Sequence, residues 1–238
     1  MRRRCPALPD RYDLPERAMA IFAHPDDAEF GCSGTLALWA QQGVHLTYCL
    51  LTSGDKGTHD PKMSARRIAA IREREQRAAG AAIGVQDFVF LRHHDGELET
   101  TMELRGEVCR AIREQRPDVV FTQDPWRPYQ IHPDHRVAGW EALDGVIAAR
   151  DHLFFPEQLG RKLKHHRVKR VLLFGSAEPN TWFDISTTID KKLEALAAHK
   201  SQVGEFASLA ERMRGFAAAT GRAWGLPAAE AFRYLELA

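Results

Sequence analysis

Short apolar runs and longer amphipathic stretches alternate along the first two thirds of the chain. AMAIFA (18–23) is brief and continuous, the pattern of a strand buried on both faces. GCSGTLALWAQQG (31–43) opens on small residues, takes up helical spacing and stops at Gly43. VHLTYCLLT (44–52) is rich in β-branched and aromatic residues, as a second strand requires. The loop SGDKGTHDP (53–61) precedes a long, charged, alanine-rich helix from Ser64 to Ile83. DFVFL (87–91) reads as a third strand, HHDGELET as a loop, and 101–116 as a helix ending before Pro117. DVVFTQ (118–123) is a fourth strand. After the loop DPWRPYQ, residues 132–150 form a helix with Pro133 near its start. Two further apolar runs, VKRVLLFG (168–175) and TWFDIS (181–186), lead to a helix from about Asp190 to Lys200 and a C-terminal segment rich in helix.

Four successive strand–helix alternations call for an α/β fold: a doubly wound, mostly parallel, Rossmann-like sheet flanked by helices on both faces. We read residues 1–238 as one domain, with 1–17 an extended arm marked by Pro6, Pro9 and Pro15. In such sheets ligands bind outside the carboxyl ends of the strands. Four polar clusters fall there: His24–Asp27, Ser53–His59, His93–Glu97 and Asp124–His135.

Composition narrows the class. The 44% hydrophobic and 27% charged residues are a globular balance. A formal net charge of +1 gives no electrostatic case for nucleic acid or an acidic membrane surface. No apolar run approaches the roughly 20 residues of a membrane helix. The basic N-terminus lacks the apolar stretch of a secretory signal. Cys5, Cys32, Cys49 and Cys109 show no C-x-x-C pairing, which fits reduced thiols in a cytoplasmic protein.

The clusters carry candidate chemistry. His24 and Asp27 stand three apart at one helix start; His132 and His135 stand three apart at another. A pair from one rim loop with a histidine or two from a distant one can hold a divalent ion. Zinc suits nitrogen and oxygen donors with no cysteine nearby, and Fe2+ or Co2+ fits the same donors. Three protein ligands leave a position for water, whose pKa zinc brings to about 7. Asp26, beside Asp27, is then placed to take that water's proton. His132 can stabilise an oxyanion, with Asp134 orienting its ring. Each residue also has a plainer use: aspartates at a helix start commonly cap it, and H-x-x-H commonly marks an exposed helix N-terminus.

AHPDDAEFGCSGTLA (23–37) and IHPDHRVAG (131–139) resemble the two signatures of the LmbE-like, or PIG-L, deacetylase family. TSGDKG, IREREQRAAGAAIGV and FDISTTIDKKLEALAAHKSQ are similar to its other segments, in order, across about 18–202. The resemblance implies a zinc-dependent hydrolase that removes an N-acetyl group from a glucosamine-containing small molecule. It implies His24, Asp27 and His135 as zinc ligands, Asp26 as general base, and His132 as the acid or electrophilic histidine oriented by Asp134. It places Arg72 and Asp95 near the substrate's polar groups. Members often self-associate, so a homo-oligomer is implied too. The sequence departs from the commonest form at Ala28, and Gln130 stands where some sugar deacetylases carry a tyrosine, with Tyr129 beside it.

Two alternatives compete: a zinc amidase acting on a thiol S-conjugate, and a Rossmann-like nucleotide-binding protein without hydrolase activity. FGCSGT lacks the G-x-G-x-x-G spacing and follows two aspartates that repel phosphate, which disfavours the second. The doublets His93–His94 and His165–His166 read as surface, His199 as helix packing, and the basic run 162–170 as a solvated face.

Overall fold

The computed structural model describes residues 14–237. Most of the expected N-terminal arm, and Cys5, lie outside them. The elements run β1 (Arg17–Phe22), α1 (Asp27–Gly31), α2 (Ser33–Gln41), β2 (His45–Thr52), α3 (Ala65–Ile83), β3 (Asp87–His93) and α4 (Met102–Gln115). They continue with β4 (Val119–Gln123), α5 (Pro133–Arg150), β5 (Arg170–Phe174), β6 (Thr181–Asp184), α6 (Ile189–Ala198), α7 (Phe206–Arg222) and β7 (Ala229–Glu236).

The seven strands form one sheet in the order β3-β2-β1-β4-β5-β7-β6, and β1 to β5 pair in parallel. Alternate side chains of each strand go to opposite faces, so each strand feeds two cores. Ala18, Ala20 and Phe22 pack with Tyr48 and Phe121 under Trp39 of α2, Ile83 of α3 and Ala195 of α6. Met19 and Ile21 pack with Leu51 and Val120 under Val108 and Ile112 of α4 and Val146 of α5. Burial on both sides explains why these strands read as continuous apolar runs.

The C-terminal segment departs from the sequence reading. It is helical only through α7; Ala229–Glu236 is a strand, inserted antiparallel between β5 and β6. Phe232 at its centre is fully buried in the first core and pairs with Phe174 on one side and Thr181 on the other. Pairing with strands some 50 residues upstream decides its structure over the local alanine-rich composition.

Connections from β1 and β4 leave on opposite sides of the sheet, so a crevice opens between their carboxyl ends. The N-terminal half of α5 lies close over that crevice. A Cβ at Gly139 would sit 2.5 Å from Gln123 O, so glycine there lets α5 approach the end of β4. Cys32, Cys49 and Cys109 are buried and free. Among the described residues, no helix is long and apolar enough to cross a membrane.

The opposite rim of the sheet is held by Asp118. Its Oδ2 accepts from the backbone N–H groups of Glu16 and Arg17, and its Oδ1 accepts from Lys169 Nζ at 2.8 Å. Burial alone would raise its pKa, but Lys169 and the two amides hold it below the usual carboxylate range. Asp118→Asn is expected to cost about 1–2 kcal/mol at pH 7. Because the folded pKa is the lower one, this contribution is present above about pH 4 and is lost as pH falls through the folded value. Urea unfolding of both proteins at pH 7 and pH 3 checks this: the gap narrows at the lower pH.

Candidate active site

β1 ends at Phe22, and Ala23 is held from both sides: its carbonyl accepts from Thr52 N, and its N–H donates to Gln123 Oε1. The chain then turns sharply, with Asp27 N donating to His24 O at 3.2 Å. Asp26 sits in the turn at φ 99°, ψ −23°, a left-handed conformation that strains any residue but glycine. This turn brings His24 and Asp27 to the crevice. Across from them, His132 occupies the N-cap of α5, Pro133 starts the helix, and His135 follows one turn in.

Three residues form a tight triangle, with Asp27 using one carboxylate oxygen toward each histidine. His24 Nδ1 is 3.2 Å from His135 Nε2; His135 Nε2 is 3.1 Å from Asp27 Oδ1; His24 Nδ1 is 3.5 Å from Asp27 Oδ2. Metal–ligand bonds of about 2.0–2.1 Å at tetrahedral angles put neighbouring ligand atoms about 3.3 Å apart. The two edges that meet at His135 Nε2 match that spacing, and the donor set of two imidazoles and a carboxylate suits a divalent cation. Asp27 Oδ2 already accepts from His24 N at 2.7 Å and Gln123 Nε2 at 2.9 Å, which leaves Oδ1 as the free donor atom. Two further groupings leave out Asp27: one ligand atom each from His24, His132 and His135, and one each from His24, Asp95, His132 and Asp134, lie within 4.8 Å of one another.

The far side of the His24 ring is fixed by acids. Nε2 is 3.0 Å from Asp134 Oδ2 and 3.1 Å from Asp95 Oδ1. A proton on Nε2 leaves Nδ1 with its lone pair toward the triangle, the carboxylate–histidine–metal arrangement. Asp134 is fully buried and also accepts from Gly96 N and Leu98 N. Here the structure differs from the sequence reading: Asp134 orients His24, and its carboxylate makes no hydrogen bond with His132. Side-chain direction at α5 decides this, because Asp134 points inward beneath the 94–98 loop while His132 lies at the helix edge. The His132 ring stacks on His135 at 4.8 Å between centroids, and its Nε2 is 3.8 Å from Asp95 Oδ1. Its buried Nδ1 has no hydrogen-bond partner.

Arg72, from α3, is 4% exposed and directs its donors inward: to Pro25 O at 2.6 Å, Gly54 O at 3.1 Å and Asp26 Oδ2 at 3.3 Å. Gly54 (φ +59°) and Gly57 make room for it, since a Cβ on either would fall within 2.4 Å of the guanidinium. Asp95 is 9% exposed and lies between His24 and Arg72. Both residues lie beside the His/Asp cluster and are already engaged with protein groups. A cavity of about 360 Å³ opens beside the triangle, lined by Asp27, His135, Phe30, Phe174, Arg127 and Gln130.

Crowding shifts the titrations. Burial lowers the affinity of His24 for a proton, yet hydrogen bonds to Asp134, Asp27 and Asp95 outweigh it and bring the ring to about 11. Burial disfavours the Asp27 carboxylate too, but His135 and His24 hold its pKa far below the usual range. Burial, then the charge of Asp27, pushes Asp26 up to about 7 against the opposing pull of Arg72. Burial, then repulsion by His24 and His135, lowers His132.

Several predicted polar residues stay outside the site. His59 and His165 are exposed, His93 pairs with Glu107, and His166 bonds Pro117 O. His94 pairs with Asp55 on the neighbouring loop. Trp126 packs edge-on against Trp140, and Tyr129 is 97% exposed. The sequence reading missed Gln123, Gln76 and Glu29, and took His199 for packing alone; all four join the network behind the turn.

Fold and site together define an α/β protein with a His/Asp cluster of metal-binding character at the switch point of its sheet. The family model for PIG-L, GlcNAc-PI de-N-acetylase, matches residues 19–145. The chain belongs to that family. It is 35% identical over 190 residues to a diacetylchitobiose deacetylase of Thermococcus kodakarensis, spanning 80% of this chain and 71% of that one. It is 30% identical over 189 residues to a probable N-acetyl-alpha-D-glucosaminyl L-malate deacetylase of Bacillus anthracis, spanning 77% and 80%. The solved structure of N,N'-diacetylchitobiose deacetylase from Pyrococcus horikoshii, in complex with an inhibitor, superposes with a TM-score of 0.89 at 30% identity, covering 94% of this chain and 88% of that one.

Asp134→Asn removes the charge behind His24 while keeping the side chain's shape. We expect divalent-metal affinity to fall about 10–100-fold. Competition against a chromophoric chelator reads this, and an unchanged affinity would separate Asp134 from the metal triangle.

Proposed function

We propose that this protein is a metal-dependent N-deacetylase that hydrolyses the acetamide of a small N-acetylglucosamine derivative, with zinc as the ion. The observation that carries the reading is the His24–Asp27–His135 triangle with Asp26 next to it in the chain and free of any capping bond. Membership of the family and likeness to sugar deacetylases support the substrate class.

His24 Nδ1, Asp27 Oδ1 and His135 Nε2 would hold the ion. When bound, a divalent ion polarises a carbonyl and acidifies water. The chain's own groups do the rest. Asp26 accepts the proton of the attacking water as its oxygen bonds to the acetyl carbon. His132 faces the developing oxyanion, where a ring N–H stabilises it. Asp26 then delivers the proton to the amide nitrogen as the C–N bond breaks, leaving acetate and a free amine. A base near pKa 7 suits both halves of this transfer. Arg72 and Asp95 shape the wall on which the sugar's polar groups lie, and the cavity beside Phe30 and Phe174 receives the remainder of the substrate.

Acetate release from N-acetylglucosamine, diacetylchitobiose and N-acetylglucosaminyl malate tests the reading, with a chelator arm and zinc add-back. We expect release from at least one, abolished by chelator and restored by zinc. Asp26→Asn should lower kcat about 10²–10⁴-fold with metal content unchanged. No acetate from any of the three by the zinc-loaded protein would sink the assignment.

A further inference from the structure

Behind the site, three side chains with no exposed surface, drawn from α1, α3 and the residue that caps the end of α6, form a continuous hydrogen-bonded line to Asp26. Asp26 N donates to Gln76 Oε1 at 2.9 Å; Gln76 Nε2 donates to Glu29 Oε1 at 3.0 Å; His199 Nε2 lies 3.2 Å from Glu29 Oε2. Glu29, Gln76 and His199 are each 0% exposed. The polarity of the line is forced. Gln76 must present its oxygen to the Asp26 amide, so its NH2 must meet an acceptor. Glu29 is that acceptor, and its second oxygen, shut off from water, faces His199 Nε2, which donates when it carries the ring proton.

We propose that Gln76, Glu29 and His199 are positioning residues that lock the backbone of Asp26 in its left-handed conformation and so aim its carboxylate. The inference rests on the reading of Asp26 as the general base. The strain locates the role. A non-glycine residue at φ 99° is retained only where its surroundings over-determine it, at a cost of about 1–3 kcal/mol. Three anchors do so here: Gln76 holds the Asp26 N–H, Arg72 holds the preceding carbonyl of Pro25, and Phe30 N donates to Asp26 O at 3.1 Å. Released from the first anchor, the turn relaxes toward an ordinary helical or extended conformation, and the Asp26 carboxylate swings away from Asp27. A displacement of about 1 Å at a catalytic group costs on the order of 10²-fold. His199, at the C-terminal end of α6, thereby links the far end of the chain to the reacting centre.

The bland alternative is a buried polar cluster that merely joins α1, α3 and α6. Gln76→Met, similar in shape but without hydrogen bonds, separates the two. In the zinc-loaded enzyme we expect kcat to fall about 10–100-fold, with KM within about twofold and zinc content unchanged. In an Asp26→Asn background the same substitution should cost nothing further, because its effect passes through the base. Amide exchange at Asp26 in the metal-free protein should rise by about tenfold or more. Should Gln76→Met fail to fold, His199→Gln keeps an N–H for Glu29 and should retain kcat within about threefold, while His199→Leu should not. A wild-type kcat in Gln76→Met, an equal fold-loss in the Asp26→Asn background, or equal losses in the two His199 variants would overturn the proposal. Were Asp26→Asn itself to keep the wild-type rate, the base reading would fall first; a dead Asp26→Asn beside an intact Gln76→Met would remove the positioning role alone.

Discussion

The site depends on where the Asp134 carboxylate lies. With no exposed surface, it accepts from Gly96 N and Leu98 N and meets His24 Nε2 at 3.0 Å. One side chain thus joins the loops after β1, β3 and β4. A buried carboxylate is costly unless paired and hydrogen-bonded, so these contacts are obligatory rather than decorative. They fix the His24 ring, and the ring fixes which nitrogen faces Asp27 and His135. The same logic explains the local charge. Asp26, Asp27, Asp95 and Asp134 crowd a space whose protein cations are Arg72 and the histidines. A divalent ion bound there would replace the proton that His24 otherwise carries and would relieve the excess of negative charge.

Backbone geometry makes that crowding attainable. A parallel sheet whose order reverses beside β1 leaves two strand ends open to one crevice. α5 reaches it only because Gly139 lies against Gln123 O, and Gln123 itself bonds both Ala23 N and Asp27 Oδ2. The last residue of β4 therefore sets the register between the two halves of the triangle. Arg72 enters from the other side through space that Gly54 and Gly57 leave, and ties the Asp26 turn to the loop after β2. Four strand ends are in this way locked to one another through side chains, not through the loops' own length.

Much of this was legible in the sequence where the signal is local or repeated. β1, β2, β4 and β5 announced themselves as apolar runs because both of their faces are buried, β3 at the sheet edge is half-buried and was legible from its aromatic and aliphatic residues, and the spacing of His24–Asp27 and His132–His135 follows from helix starts. What stayed hidden depends on distant partners. β7 carries alanines and charges that read locally as helix, and its fate is set by Phe174 and Thr181. Asp134 stands two residues from His132 in sequence, yet it faces His24, 110 residues away. Gln76 lies among arginines and glutamates on a helix whose other polar residues are mostly solvated, and only its partner 50 residues away sets it apart. His199 meets Glu29 across 170 residues. No pattern within a window of one helix could have exposed either pair.

The adjacent aspartates sharpen the point. The plain expectation for Asp26 is an N-cap, and by position it is one, since α1 begins at Asp27. Its side chain nevertheless makes no capping bond. It is Asp27 that turns back on the preceding chain, accepting from His24 N with one oxygen and leaving the other toward His135. A helix of five residues has little to lose from a missing cap, whereas capping by Asp26 would consume the carboxylate. The left-handed turn resolves the conflict by rotating that carboxylate off the helix axis, toward Arg72 and the crevice. Two aspartates of one dipeptide thus reach opposite conditions: Asp27 is kept ionised by two imidazoles, and Asp26 is raised to about 7 by burial and by Asp27's own charge. Neighbouring acids whose environments drive their protonation apart are suited to separate tasks, one to hold a cation and one to exchange a proton.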